Sequence, residues 1–315
     1  MTGMGEACWH YSAGTFTSPR GPQLHTHAWA PTGVSQPCRV FVLHGYGAHG
    51  AFPTVRLLSE HLASCGIRVH SFDLEGCGRS DGLAGLLSPP SAVTDSLAFA
   101  AWVCREDAAP CFFAGTSLGG GLALKVALAA GASSVRVAGL MLLSPLVVVP
   151  DSSRPPPLLL SLLRGLCVVA PWAALVGNTG VSDADKQYAD PEMRELCVND
   201  ALSYHGKMRL GTAAALLELT ETLQHELPRI TLPLVVVHGS EDAVVRIESS
   251  RRLMESAGSK DKTLFEIAGA VHSLLCEPPA TRARVLAHIS DWLLPRAAAV
   301  AAGTVGAAGL SVVCV

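Results

Sequence analysis

The segment Pro110-Cys-Phe-Phe-Ala-Gly-Thr-Ser-Leu-Gly-Gly-Gly-Leu-Ala-Leu-Lys-Val-Ala-Leu-Ala-Ala130 decides how the chain is read. Cys111 to Ala114 is a short apolar run that predicts a buried strand, and the Ala- and Leu-rich stretch from Gly119 to Ala130 predicts a helix. Between them lies Gly115-Thr-Ser-Leu-Gly119, a G-x-S-x-G. Where such a motif joins a strand to a helix, the chain makes a sharp elbow and the serine sits at its tip in strained backbone geometry. A Cβ on Gly115 or Gly119 would collide with the neighbouring strand or helix. The elbow holds the Ser117 hydroxyl clear of the sheet and aims a helix N-terminus at negative charge developing there. A nucleophile of this kind also needs a base and an acid to orient the base, so the rest of the chain must supply them.

Working outward, strands and helices alternate. Gly14–Ser18 and Gln23–Trp29 read as two short strands around Gly21, and Arg39–Leu43 as a continuous apolar strand leading into His44-Gly-Tyr-Gly-Ala-His-Gly50. A helix is expected from Phe52 to Ser64, a strand from Ile67 to Phe72, a helix from Ala92 to Cys104 and a strand from Gly139 to Leu143. After the break described below, the strand Leu232–His238, the helix Glu248–Ser256, the strand Thr263–Ile267 and a closing helix Thr281–Leu293 complete the pattern. This rhythm predicts an α/β fold with a mostly parallel sheet covered on both faces.

The alternation stops after Ser144-Pro145. Residues 147–211 read as an inserted helical cap, dividing the core into 1–146 and 212–296 and leaving 297–315 as a low-complexity apolar tail. Leu158 to Val176 is long enough to raise a membrane span, but Arg164, Gly165 and Pro171 interrupt it. Apolar cap helices facing a greasy substrate fit it better, with Leu158 and Leu162 as substrate-contacting residues. The Ala-, Gly- and Val-rich tail offers little insertion energy. Peripheral membrane contact through the cap or the tail is therefore the expectation.

Composition bounds the function. With 49% hydrophobic and 16% charged residues the 315-residue chain can bury a large core, and disorder is excluded as its general state. A net charge of −3 without a basic block argues against nucleic acid as a partner. Ten scattered cysteines without a CxxC pair, and a start lacking a basic region followed by an apolar segment, point to a reducing, cytoplasmic setting.

The acid is expected on a turn after a late strand, where Leu234-Val-Val-Val-His238 runs into Gly239-Ser-Glu-Asp-Ala243. Neighbouring side chains diverge, so only one of Glu241 and Asp242 can face the sheet edge; Asp242 is taken as the candidate. The base is expected after the last strand, at His272 in Ala268-Gly-Ala-Val-His-Ser273. The order Ser117, Asp242, His272, each after a successive strand, is that of α/β-hydrolase triads. The oxyanion donors are then the amides of Leu118 and of a residue in the glycine-rich loop, Tyr46. His44 is read as bracing that loop, and His49 as lining the pocket.

His44-Gly-Tyr-Gly47, Asp73-Leu-Glu-Gly-Cys-Gly-Arg-Ser80, Arg209-Leu-Gly-Thr212, His238-Gly-Ser-Glu-Asp-Ala243, Ser259-Lys-Asp-Lys-Thr-Leu264 and His272-Ser-Leu-Leu275 follow one another in an order that resembles the monoacylglycerol lipase family of α/β-hydrolases, in its plant branch with caffeoylshikimate esterase. The resemblance runs from about Phe16 to Leu294. It implies a serine hydrolase without cofactor or metal, acting on monoacylglycerols, lysophospholipids or related esters of lipophilic acids. It carries the triad onto Ser117, Asp242 and His272 and the oxyanion amides onto Tyr46 and Leu118. Thr116 stands where plant members usually have Glu, Cys77 where they have His, and Ala48 and Phe52 where the animal lipase has polar residues near its glycerol site. A phenylpropanoid esterase or an acyltransferase would use the same residues, and a weakly catalytic ligand receptor on this fold is the alternative from another class.

Overall fold

The computed structural model describes residues 8–33, 35, 38–149, 156–177 and 184–302. Eight strands form one sheet: β1 (Trp9–Thr17), β2 (Gln23–Pro31), β3 (Arg39–Leu43), β4 (Arg68–Phe72), β5 (Cys111–Thr116), β6 (Val137–Leu143), β7 (Leu234–Gly239) and β8 (Lys262–Ile267), in the order β1-β2-β4-β3-β5-β6-β7-β8. β1 pairs with β2, and β2 with β4, antiparallel; every other pairing is parallel. This is the open, mostly parallel sheet expected of the α/β-hydrolase fold.

The helices α1 (Pro53–Ser64), α2 (Pro89–Val103), α3 (Leu118–Ala129), α4 (Pro157–Val169), α5 (Ala184–Gln187), α6 (Pro191–Val198), α7 (Leu210–Glu226), α8 (Glu248–Ser256) and α9 (Pro279–Ala301) surround it. Period-two alternation sorts each central strand between two cores. Phe41, Phe113, Leu142 and Val236 pack with residues of α2, α3, α7 and α8 on one face. Val42, Phe112, Met141 and Val235 pack with residues of α1 and α9 on the other. Both faces are covered, which is why these strands read as unbroken apolar runs.

Register sets the site. Leu43 pairs with Gly115 and Thr116 with Leu143, so β3, β5 and β6 end level with one another. Val237 lies beside Leu143 and Gly239 beside Ile267, which brings the ends of β7 and β8 to the same edge. Five loops therefore leave the carboxyl edge of the sheet together, the position where open α/β sheets bind ligands.

Two elements run longer than expected. β1 starts at Trp9, and only Phe16 along it is buried, so little hydrophobic alternation marks its first half. α9 continues through Pro295 to Ala301 instead of stopping at Leu293, because Ala297 is fully buried and Val300 packs beside it. No helix among the described residues is long and apolar enough to cross a membrane.

Candidate active site

Ser117 has φ 56° and ψ −118°, a left-handed conformation that costs a non-glycine residue of order 1–3 kcal/mol. The surroundings enforce it. The Ser117 amide donates to the Leu143 carbonyl at 3.0 Å, and the Ser117 carbonyl accepts from Leu146 N–H at 2.9 Å. A Cβ on Gly115 would stand 2.2 Å from the Gly119 backbone, and one on Gly119 would stand 2.0 Å from the Leu43 carbonyl oxygen. Strand, elbow and helix interlock only because both positions lack a side chain.

Asp242 and His272 meet beside the elbow. His272 Nδ1 donates to Asp242 Oδ2 at 2.7 Å, and both side chains are buried. Asp242 Oδ1 accepts the amides of Val244 at 2.9 Å and Val245 at 2.8 Å. Burial pushes the Asp242 carboxyl up, but hydrogen bonds from His238 and His272 outweigh it and hold the group well below the usual carboxylate range. The result is a fixed anion behind the imidazole. His272 and Ser117 line one cavity of about 280 Å³. No hydrogen bond joins them among the described residues; such pairs commonly tighten only on substrate binding.

Tyr46 lines the same cavity as Ser117, and Leu118 follows Ser117 in the chain. Leu118 is the first residue of α3, and among the described residues neither its amide nor that of Tyr46 donates a hydrogen bond. His44 braces the loop between them as expected: its Nδ1 donates to the Gly45 carbonyl at 2.8 Å, and its Nε2 accepts from Leu74 N–H at 3.0 Å. Acceptance at Nε2 needs a neutral ring, and burial lowers its pKa to about 4. Behind it, Asp73 is wholly buried and accepts from Gly50 N–H at 2.6 Å, Arg79 N–H at 2.8 Å and His27 Nε2 at 3.0 Å. Burial opposes ionisation there, yet His27 and these amides bring its pKa down to about 2.

The cavity wall corrects one expectation. His49 does not line it; the ring is buried and donates from Nε2 to Asp200 Oδ1 at 3.1 Å, tying the loop after β3 to the segment after α6. Ala48, Phe52, Tyr188, Val198 and Val244 form the apolar wall instead, with Thr54, Gln187 and Ser203 as neutral polar groups. Leu158 and Leu162 lie on α4, but their side chains are outside the described residues. The segment around α5 and α6 is pinned to the loop that carries His272: Ser273 N–H donates to the Gln187 carbonyl at 3.0 Å, and Asp190 N–H to the Cys276 carbonyl at 2.8 Å. Sequence reasoning missed Tyr188 and Val198 because no motif surrounds them. It also gave His238 no role, reading it as the end of a strand and the head of a motif.

A family model, Hydrolase_4 (Serine aminopeptidase, S33), matches residues 36–279. The chain is 33% identical over 286 residues to caffeoylshikimate esterase of Arabidopsis thaliana, covering 88% of this chain and 83% of that one. It is 29% identical over 282 residues to monoglyceride lipase of Rattus norvegicus, covering 88% and 89%. Monoacylglycerol lipase of Paleococcus ferrophilus superposes with a TM-score of 0.72 at 24% identity, over 87% of this chain and 99% of that one. A soluble variant of the Saccharomyces cerevisiae monoglyceride lipase, in complex with a substrate analogue, gives 0.74 at 21% identity, over 90% and 94%. These last two likenesses are of fold.

Proposed function

The chain belongs to the Hydrolase_4 family, serine aminopeptidase S33, and is a carboxylic ester hydrolase of the monoglyceride lipase type; from that premise we propose that it cleaves uncharged esters of lipophilic acids, monoacylglycerols first, through an acyl-enzyme on Ser117. His272, oriented by Asp242, takes the Ser117 proton as the hydroxyl attacks the ester carbonyl. The amides of Tyr46 and Leu118 hold the tetrahedral oxyanion, and His272 protonates the leaving alcohol. Water then repeats the cycle on the acyl-enzyme. The observation that carries this reading is a strained serine facing the same cavity as an imidazole bonded at 2.7 Å to a buried carboxylate.

The cavity wall supports a neutral substrate. Among the described residues lining it there is no Asp, Glu, Lys or Arg, and His205 is the one imidazole there besides His272, so a phosphorylated headgroup would meet no permanent counter-charge. That favours a monoacylglycerol over a lysophospholipid. A phenylpropanoid ester is the second reading, favoured by the 33% identity to caffeoylshikimate esterase. The carboxylate of shikimate would meet the same lack of cations.

Residues 147–211 act in this reading as a cap over the 1–146 and 212–296 core of a cytoplasmic protein. The cap leaves Val168, Val169, Trp172 and Leu175 exposed, a patch suited to resting on a membrane where lipid esters collect. A fluorophosphonate probe on the wild type and on Ser117→Ala tests the nucleophile. A panel of monoacylglycerols, lysophospholipids and caffeoyl esters tests the substrate. Labelling that survives Ser117→Ala would defeat the assignment, and preference for lysophospholipids would defeat the neutral-ester reading.

A further inference from the structure

The carboxylate of Asp242 is approached by two histidines. Oδ2 stands 2.7 Å from His272 Nδ1 and 3.1 Å from His238 Nε2. His238 lies near the end of β7 and is wholly buried. Its neighbours dictate its tautomer. The Val245 carbonyl, 2.7 Å from Nε2, can only accept, so Nε2 carries a hydrogen. Ser250 Oγ, 2.6 Å from Nδ1, supplies the hydrogen on the other side of the ring. That hydrogen is aimed at the Val245 carbonyl, with Asp242 Oδ2 3.1 Å from the same nitrogen as a second, longer acceptor, and the hydroxyl of Ser250 on α8 holds the ring in that pose.

The consequence is geometric. Two amides grip Asp242 Oδ1, from Val244 and Val245. His238 engages one side of Oδ2, leaving the other for His272. The carboxylate cannot turn about its own axis without losing one of these bonds. We infer that His238 is a positioning residue of this hydrolase: by holding its Nε2–H 3.1 Å from Asp242 Oδ2, it fixes the direction in which that carboxylate holds His272 towards Ser117. The inference rests on the roles proposed for Asp242, His272 and Ser117, and adds a residue that touches none of the reacting atoms.

The test separates positioning from mere support of the fold. His238→Leu keeps bulk and removes the donor; His238→Gln places an amide N–H near the position of Nε2. kcat and KM for a p-nitrophenyl acyl ester, the rate of fluorophosphonate labelling and the thermal midpoint are measured on the full chain. His238→Leu is expected to lower kcat by about 10- to 100-fold with KM changed by less than about twofold, the cost of misplacing a reacting group by a fraction of an ångström. His238→Gln recovers most of that loss. Should the leucine variant not fold, His238→Asn replaces it, since its amide is one methylene short of Asp242. A wild-type kcat in His238→Leu overturns the inference, as does a glutamine variant as slow as the leucine one with the same fall in thermal midpoint. If folded wild type takes no fluorophosphonate label, the Ser117 assignment falls and this inference with it. Normal labelling of wild type beside an unaffected His238→Leu overturns this inference alone.

Discussion

The central strands and α4 are both rich in Leu and Val, yet the sheet hides them and the end of α4 does not. Leu142 on β6 and Val236 on β7 are fully buried between two helical layers. Val168 at the end of α4 is 83% exposed and Val169 65% exposed. The difference is one of layers: a strand has helices on both faces, whereas α4 has packed partners on one side, chiefly α7. Apolar residues specify structure only where a second surface meets them; elsewhere they remain available to a ligand or an interface.

The sharpest way to break the comparison is to change one atom at the edge of the sheet. Ser117→Ala is expected to lower esterase turnover by about 10⁴-fold or more while the thermal midpoint barely moves, because the oxygen serves chemistry and not packing. Titration of p-nitrophenyl ester hydrolysis beside a melting curve measures both. Next in size, Leu142→Ala should cost about 2–5 kcal/mol in denaturant unfolding, since the sandwiched strand cannot collapse around the void.

A third prediction concerns pH. His44 has a folded pKa near 4, below its unfolded value, so the unfolded chain binds the proton more readily; stability should fall as pH drops from about 6.5 towards 4. The loss amounts to roughly 3 kcal/mol. Asp73, depressed to about 2, contributes stability above its unfolded pKa that is lost as pH falls from about 4 through 2, roughly 2 kcal/mol more. Thermal midpoints across pH should show both steps, and Asp73→Asn should flatten the lower one. The smallest effect belongs to the cap. Val168→Ser should shift stability by less than about 0.5 kcal/mol, yet weaken co-sedimentation with neutral lipid vesicles. An unchanged vesicle affinity would remove the membrane role from that patch.

Legibility in the sequence follows the same division. β3, β5, β6 and β7 were visible because burial on both faces makes continuous apolar runs. The elbow was visible because its two glycines and serine have fixed spacing. Asp242 and His272 were locatable because each follows a strand, and the structure brings them within 2.7 Å. The first half of β1 was not legible, as its side chains face solvent and carry no period. Pro295 reads as a stop, but Ala297 buried beyond it keeps α9 going. His49 went to Asp200, 151 residues away, and nothing local announces such a partner. His238 was hidden for a related reason: its three partners lie in a turn and a helix that follow it, and only the folded chain folds them back over the ring.

The hydrogen bonds from Ser273 to Gln187 and from Asp190 to Cys276 give the segment between β6 and α7 two unequal ends. On the α5–α6 side it is riveted to the loop that carries His272; on the α4 side its apolar surface is exposed to solvent. A rigid lid would swing on either edge with the same effect on the machinery beneath. If His272 is the base of the proposed mechanism, a displacement of α6 would pull on the loop that carries it, whereas widening the entrance from the α4 side would leave that loop where it is.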